Sequence, residues 1–154
     1  MGYNIDIGNA VPFADEDRFG WRVESARSES APTFPNDEMT GNSNSRSPSY
    51  TAWHGFCEAA GIEPLFYEKW EGLLCSHPGI VPLTKAHHET VKGALDAFKA
   101  KHPTTEPGFT GYGGPNDTPF TGDDHSPILA RLIWLEWWMA WALENCEHPA
   151  IENT

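Results

Sequence analysis

Apolar residues run almost without interruption through residues 128–144, and their spacing follows a helical period. Four indoles fall within eight residues of this run: Trp134, Trp137, Trp138 and Trp141. At about 100° per residue they share one arc of a helix, while the aliphatic side chains fill a separate arc. A helix that is apolar nearly all round is typically central in a fold. We therefore predict a central helix over 127–145, with Ser126 as its N-cap.

The same terminal signals predict two further helices. Ser47-Pro48 combines a cap residue with a proline in the first helical position, and Gly61 supplies a stop. These residues predict a helix over 48–60. Thr84 is an N-cap candidate before a run with inward-facing apolar residues, which predicts a helix over 85–101.

Near the start of the chain, apolar and polar residues alternate over 3–7 and 21–23, which predicts two short strands that could pair. The tracts 24–48 and 102–126 lack periodicity and are rich in turn residues, so we expect two long, irregular polar loops. The length of 154 residues suits a single domain over 1–154. We predict an α+β, mainly helical fold: about three principal helices around the central tryptophan-rich C-terminal helix, with a small N-terminal β element.

Charge and composition exclude several classes of function. With 22 acidic and 10 basic residues the formal net charge is −12, which disfavours direct binding to nucleic acid. Three cysteines argue against a disulfide framework and agree with a reducing compartment. The apolar run over 128–143 is interrupted by Arg131 and Glu136 and is shorter than the roughly 20 residues that a bilayer requires. No secretory signal is visible either, so we expect a cytoplasmic protein that does not enter a membrane.

A candidate ligand site combines the helix with the first loop. Arg131 projects beside the indoles, and Arg46 follows a group of uncharged donors and acceptors, a mixture that suits a sugar, purine or phosphate edge. In this hypothesis the arginines contact an anionic group, an aromatic ring stacks on the ligand, and the amides and hydroxyl read its edges. The predicted ligand-binding residues are Asn42, Asn44, Ser45, Arg46, Tyr112, Arg131 and Trp138. The alternative is structural: the indoles form core or a homo-oligomer interface, Arg131 pairs with a carboxylate, and the Asn and Ser residues form turns.

Metal chemistry has two weaker candidates. A Cys-x-His-Pro pattern occurs twice, at Cys75/His77 and Cys146/His148, and could in principle form a zinc site, although His-Pro is also typical of helix C-termini. Carboxylates and an imidazole precede the last helix, and two histidines open the previous one: Asp123, Asp124, His125, His87 and His88. Carboxylates at a helix start also favour the helix dipole without any further role. No nucleophile elbow, P-loop or dinucleotide fingerprint is present, so we predict no catalytic residues, no cofactor and no metal.

Three segments carry a resemblance to other proteins: residues 1–10, residues 34–42, and residues 141–147 followed by Pro149-Ala150-Ile151. They resemble short uncharacterised proteins of tailed bacteriophages and prophages. The resemblance implies a small phage product in the host bacterial cytoplasm, for which interference with host defence or sequestration of a small signal is expected. It implies no functional residue.

The leading hypothesis is a non-enzymatic binder of a small polar or nucleotide-like ligand. A first alternative is an acidic inhibitor that mimics nucleic acid and blocks a host nucleic-acid-binding enzyme. A second alternative is a metal-dependent hydrolase. A homo-oligomer or a host protein partner stays open.

Overall fold

The computed structural model describes residues 1–14, 20–34, 37–39, 41–109 and 125–154. Its helices are α1 (Tyr50–Ala59), α2 (Glu63–Tyr67), α3 (Lys85–Lys101) and α4 (Pro127–Asn145). Its strands are β1 (Ile5–Pro12), β2 (Trp21–Val23), β3 (Ser45–Arg46), β4 (Gly79–Pro82), β5 (Glu106–Pro107), β6 (His125–Ser126) and β7 (Pro149–Asn153). Within the described ranges, each helix is too short or too polar to cross a lipid bilayer.

β1 is central in a five-stranded antiparallel sheet. Along one side it pairs with β7, from Ile5 opposite Asn153 to Asn9 opposite Pro149, and β4 pairs with the far side of β7. Its other side pairs with β3 near its start and with β2 near its end. The sheet curls into a half-barrel, and β2 comes into contact with β4. A short parallel pair, β5 with β6, lies apart from this sheet.

The two faces of the sheet contribute to two separate cores. Side chains alternate between faces along a strand, so Ile7 and Ile151 join the main core with the helices. Ala10 and Ala150 instead form a small cluster with Val23, and Ile80 packs against it. Because this second cluster draws on β1, β2, β4 and β7, it lies where the curled strands face one another.

The helix α4 dominates the main core. It begins at Pro127, where the Ser126 hydroxyl accepts a hydrogen bond of 3.1 Å from the amide of Leu129. Trp134 and Trp138 are fully buried, and the Trp134 indole donates to the carbonyl of Ser43 at 3.3 Å. The helix packs against α3 and β1. The helix predicted over 127–145 is thus confirmed, as is the one over 85–101.

The prediction of a mainly helical fold is wrong, because the structure is 39% helical and 22% strand and its sheet is a curled antiparallel half-barrel. The sheet is larger than expected because β3, β4 and β7 were not predicted. None of them has the alternation of apolar and polar residues that marked the segment 21–23, and each is held by partners distant in sequence. The first helix also begins later than predicted: Ser49, not Ser47, caps it by accepting from the amide of Ala52.

Candidate functional site

The structure brings the two arginines of the predicted ligand site together through Glu38. Arg131 donates to Glu38 from Nε and Nη2, both at 2.8 Å, and Arg46 donates to Glu38 from Nη1 at 2.7 Å. Arg46 also forms a two-armed contact with Asp37, at 2.7 and 3.0 Å. All four side chains are at least 96% buried, since their exposed fractions are 4% or less. The chain's own carboxylates therefore occupy the position that the sequence assigned to an anionic ligand.

Burial and charge act in opposite directions on the two carboxylates of this cluster. Burial raises the pKa of Asp37, although the nearby charge and hydrogen bonds of Arg46 act to lower it. Burial alone would also raise the pKa of Glu38, but the hydrogen bonds and charges of Arg131 and Arg46 outweigh it and lower the pKa. Because Glu38 contacts both guanidiniums, its pKa is the one of the two that is lowered.

Aromatic rings surround the ionic cluster. The Arg46 guanidinium lies 4.9 Å from the Trp134 ring centre, and the Arg131 guanidinium lies 5.5 Å from that of Phe109. Such contacts favour a desolvated cation. Among the described residues, the Arg46 Nε has no hydrogen-bond partner. The cluster is therefore a packed part of the core, with a planar cation stacked on the first turns of α4.

Asn44 has a structural position, with an exposed fraction of 1%. Its amide oxygen accepts from the amide of Ala26 at 2.8 Å, and its amide nitrogen donates to the carbonyls of Ile7 and Glu24 at 2.9 and 2.8 Å. These contacts join the segment after β2 to β1. All of them go to backbone groups 18 to 37 residues away in sequence, so Asn44 joins distant segments and its contacts are not the local ones of a turn.

The other predicted ligand residues lie in different surroundings. Asn42 is half-buried, and its carbonyl accepts from the amide of Ser28 at 3.2 Å. Ser45 is half-buried in β3, whereas Trp138 is fully buried. Tyr112 lies outside the described residues. A ligand-binding role for the whole set stays a prediction.

A groove on the curled sheet was not predicted from the sequence. Its cavity volume is about 480 Å³, and its lining comes from β1, β2, β4, β7 and the segment before β7. The lining residues are Ala10, Trp21, Ile80, Pro82, Leu83, Glu147, His148, Pro149 and Ala150. They are spread from the tenth residue to the end of the chain, so no local motif marks them. The one usable signal is a tryptophan in the short alternating segment 21–23.

The chemistry of the groove is an apolar floor with a polar rim. Ala10 and Ala150 are buried, small apolar residues of its lining. Trp21 is 48% exposed and meets the ring of His148 edge-on, with the centroids 5.7 Å apart. Glu147 adds a carboxylate beside this pair. The arrangement can hold a flat ring against the indole and satisfy a polar substituent at the rim.

A second constellation links Tyr50, His77 and Asn153. The His77 Nε2 lies 3.1 Å from the Tyr50 hydroxyl, and its Nδ1 lies 2.6 Å from the Asn153 amide oxygen. The Asn153 amide nitrogen donates to the carbonyls of Ser76 and Gly79, which orients its oxygen toward His77. This orientation assigns the ring proton to Nδ1, so Nε2 accepts from Tyr50. This series of hydrogen bonds joins α1 to the end of β7.

The histidines of the hydrolase hypothesis have ordinary structural contacts. The His87 Nδ1 accepts from the amide of Thr84 at 3.0 Å and completes the cap of α3, and burial lowers the pKa of His87. The His88 Nε2 lies 3.1 Å from a carboxylate oxygen of Glu136. The remaining members, Asp123, Asp124 and the side chain of His125, lie outside the described residues.

The four residues of the two Cys-x-His-Pro patterns are all described, and they do not converge. Cys75 is exposed, whereas His77 is held by Tyr50 and Asn153. Cys146 ends α4, and its neighbour His148 lines the groove. Within the described part of the chain, these side chains form no group of three or more metal ligands.

The chain matches no protein-family model, no curated protein and no solved structure. The resemblance to phage proteins therefore stays a prediction.

Proposed function

We propose that the protein binds a small, ring-bearing ligand in the half-barrel groove without converting it chemically. The observation that carries this proposal is the cavity of about 480 Å³ beside the half-exposed indole of Trp21. Pockets of roughly 300–1,000 Å³ with an apolar lining and few polar groups are typical of small-molecule sites. The role implied by the phage resemblance is sequestration of a small signal.

The groove favours a neutral or cationic ring over a multiply charged phosphate. Its polar rim contains Glu147 and His148, and among the described residues its lining includes no arginine or lysine. The formal net charge of −12 adds a general repulsion toward anions. A nucleobase, a nucleoside or an aromatic amine fits this chemistry: the ring stacks on Trp21, and an amino group reaches the carboxylate of Glu147.

The groove is a better candidate than the arginine pair of the sequence-based hypothesis. Arg46 and Arg131 already contact Asp37 and Glu38, so an anionic ligand would have to displace two buried carboxylates. Removing the partner of a buried charge costs several kcal/mol, about 3–5 in measured cases. A ring that enters the groove displaces no buried ion pair of the described residues.

Isothermal titration with a panel of nucleosides, nucleotides and aromatic amines tests the proposal. We expect a nucleoside or an amine to bind, and Trp21→Ala to weaken that binding by about tenfold or more, since stacking on an aromatic side chain contributes about 1–3 kcal/mol. The matched control is Trp70→Ala, because Trp70 is 84% exposed and does not line the groove.

Two results would overturn the proposal. One is a flat response across the whole panel. The other is a bound ligand whose affinity is the same in the wild type and in Trp21→Ala, with circular dichroism showing both proteins folded. A ligand that binds only when it carries phosphate, and that is insensitive to Trp21, would instead favour the arginine pair.

A further inference from the structure

We propose that His54, Glu58 and Glu63 form a binding site for a divalent metal ion, with Zn²⁺ as the favoured occupant. One ligand atom from each of the three side chains can be chosen so that all lie within 4.8 Å of one another. The His54 Nε2 lies 3.1 Å from a Glu63 oxygen, and the His54 Nδ1 lies 3.9 Å from a Glu58 oxygen. This site is separate from the groove and does not depend on its function.

The end of α1 brings the third ligand into place. His54 and Glu58 are four residues apart on α1, so they share one face of the helix. Gly61 then adopts φ +72°, and the amides of Gly61 and Ile62 bond back to the carbonyls of Glu58 and Cys57. This pair of hydrogen bonds is a Schellman motif, which reverses the chain. Glu63 therefore begins α2 beside His54, so the backbone brings the three ligand residues together.

Packing also limits the motion of the imidazole. The His54 ring meets the Tyr67 ring edge-on, with the centroids 5.0 Å apart. Tyr67 belongs to α2, as does Glu63. The two helices thus fix both the nitrogen ligand and the second carboxylate. A site whose ligands are already positioned loses less entropy on binding a metal than one assembled from mobile side chains.

The charge of the site and the types of its ligand atoms favour a divalent cation of borderline softness. Two carboxylates and a neutral imidazole have a total charge of −2, which such an ion neutralises. Imidazole nitrogen and carboxylate oxygen both suit Zn²⁺. The side chains are between 45% and 57% exposed, so water can complete the coordination. Ca²⁺ and Mg²⁺ fit less well because they prefer oxygen ligands alone.

Another histidine supplies a natural comparison. His88 lies 3.1 Å from Glu136, the same separation as His54 from Glu63. However, His88 and Glu136 belong to no group of three or more ligands in the described part of the chain. If a His–Glu pair alone held a metal, the two sites would behave alike. The proposal requires that only the site with the third ligand does so.

Isothermal titration of the untagged protein with ZnCl₂ tests the site. Because Cys75 is an exposed thiol that could bind zinc by itself, the titration is repeated in a Cys75→Ser background. We expect one saturable site in both proteins, with affinity reduced by about tenfold or more in His54→Ala and in the isosteric Glu63→Gln, because each removes one of three ligands. His88→Ala should bind zinc like its parent.

The folded state of each variant is checked by circular dichroism. In the wild type, the NMR signals of the His54 ring should shift at lower Zn²⁺ concentrations than those of the His88 ring. Absence of saturable zinc binding in the Cys75→Ser background would overturn the proposal. So would equal zinc affinities in the parent and in folded His54→Ala or Glu63→Gln, since His54 would then only pair with its carboxylates.

Discussion

Glu38 and Arg131 face each other in parallel, with the Arg131 Nε and Nη2 each 2.8 Å from a different carboxylate oxygen of Glu38. One of those oxygens also accepts from Arg46. The contact fastens the 37–39 segment to both α4 and β3. It makes Glu38 the residue on which the charge balance of the buried cluster depends.

Replacing Glu38 with glutamine should strongly destabilise the fold. The variant keeps the shape of the side chain but leaves two buried guanidiniums with less negative charge than they need. Breaking a buried ion pair by removing one partner costs about 3–5 kcal/mol. We expect a fall of that size in the free energy of unfolding, measured by urea denaturation. Glu147→Gln is the control, since that side chain is 86% exposed, and it should change stability by less than about 0.5 kcal/mol.

The fold raises the pKa of Asp6 and lowers that of Glu38, so the two carboxyls should affect the pH dependence of stability in opposite directions. Burial and, to a smaller extent, the charge of Glu152 opposite it on β7 raise the pKa of Asp6, although a hydrogen bond from Ser45 acts to lower it. The folded state therefore holds the proton more tightly than the unfolded chain, and ionised Asp6 reduces stability at neutral pH. We expect Asp6→Asn to be more stable than the wild type at pH 7.

The stability advantage of Asp6→Asn should shrink as the pH falls toward about 4. Over that range the Asp6 carboxyl of the wild type takes up its proton at a higher pH in the folded state than in the unfolded chain. Urea denaturation of both proteins across that range measures the difference. A stability difference that stays constant with pH, or one that grows on acidification, would contradict the raised pKa of Asp6.

Asn44→Ala should lower stability by about 3 kcal/mol, from three lost hydrogen bonds at about 1 kcal/mol each. The loss is measured by thermal unfolding. Asn42→Ala is the matched control from the same loop, because its structural contact with Ser28 is made by a backbone carbonyl that alanine retains. Similar losses in both variants would refute the structural role assigned to the Asn44 amide.

Alanine substitutions at two glycines, one inside α1 and one just after it, should change the stability of the fold in opposite directions. An added Cβ would meet nothing within 4 Å at either Gly55 or Gly61, so only the backbone differs. Gly61 has a φ of +72°, where alanine costs about 1 kcal/mol or more. Gly55 lies inside α1, where alanine should gain about 0.5–1 kcal/mol. Differential scanning calorimetry should show Gly61→Ala melting below the wild type and Gly55→Ala above it.

Local signals predicted α3 and α4 well, whereas the start of α1 was misplaced by two residues. Thr84 and Ser126 cap α3 and α4 as the sequence indicated, because a hydroxyl followed by a helical pattern depends only on neighbouring residues. The segment 21–23 does form a strand, but it pairs with residues 10–12 at the end of β1, beyond the predicted segment 3–7, whose residues Ile5 to Ile7 pair with β7 instead. What the sequence could not reveal is β7, whose five residues become a strand only through pairing with β1 and β4.

The candidate sites show the same division between local and long-range information. Arg131 could be singled out as a cation beside the indoles and Arg46 as a cation beside uncharged donors and acceptors, and both contact Glu38. That Glu38 contacts both arginines depends on how the first loop, residues 24–48, folds back on α4. No periodic pattern in the sequence predicts that contact. The groove beside Trp21 likewise exists only because the sheet curls.

The pairing of β1 with β7 also constrains how the protein is made. β7 follows β1 in the chain only after α1 to α4, so a ribosome delivers β1 well before the neighbour that covers one of its edges. β4 likewise has no strand partner until β7 emerges, because β7 joins it to the rest of the sheet. The half-barrel therefore closes late, after α3 and α4 have emerged, and a nascent chain stalled before Pro149 exposes two unpaired edges to chaperones or to other unfinished chains.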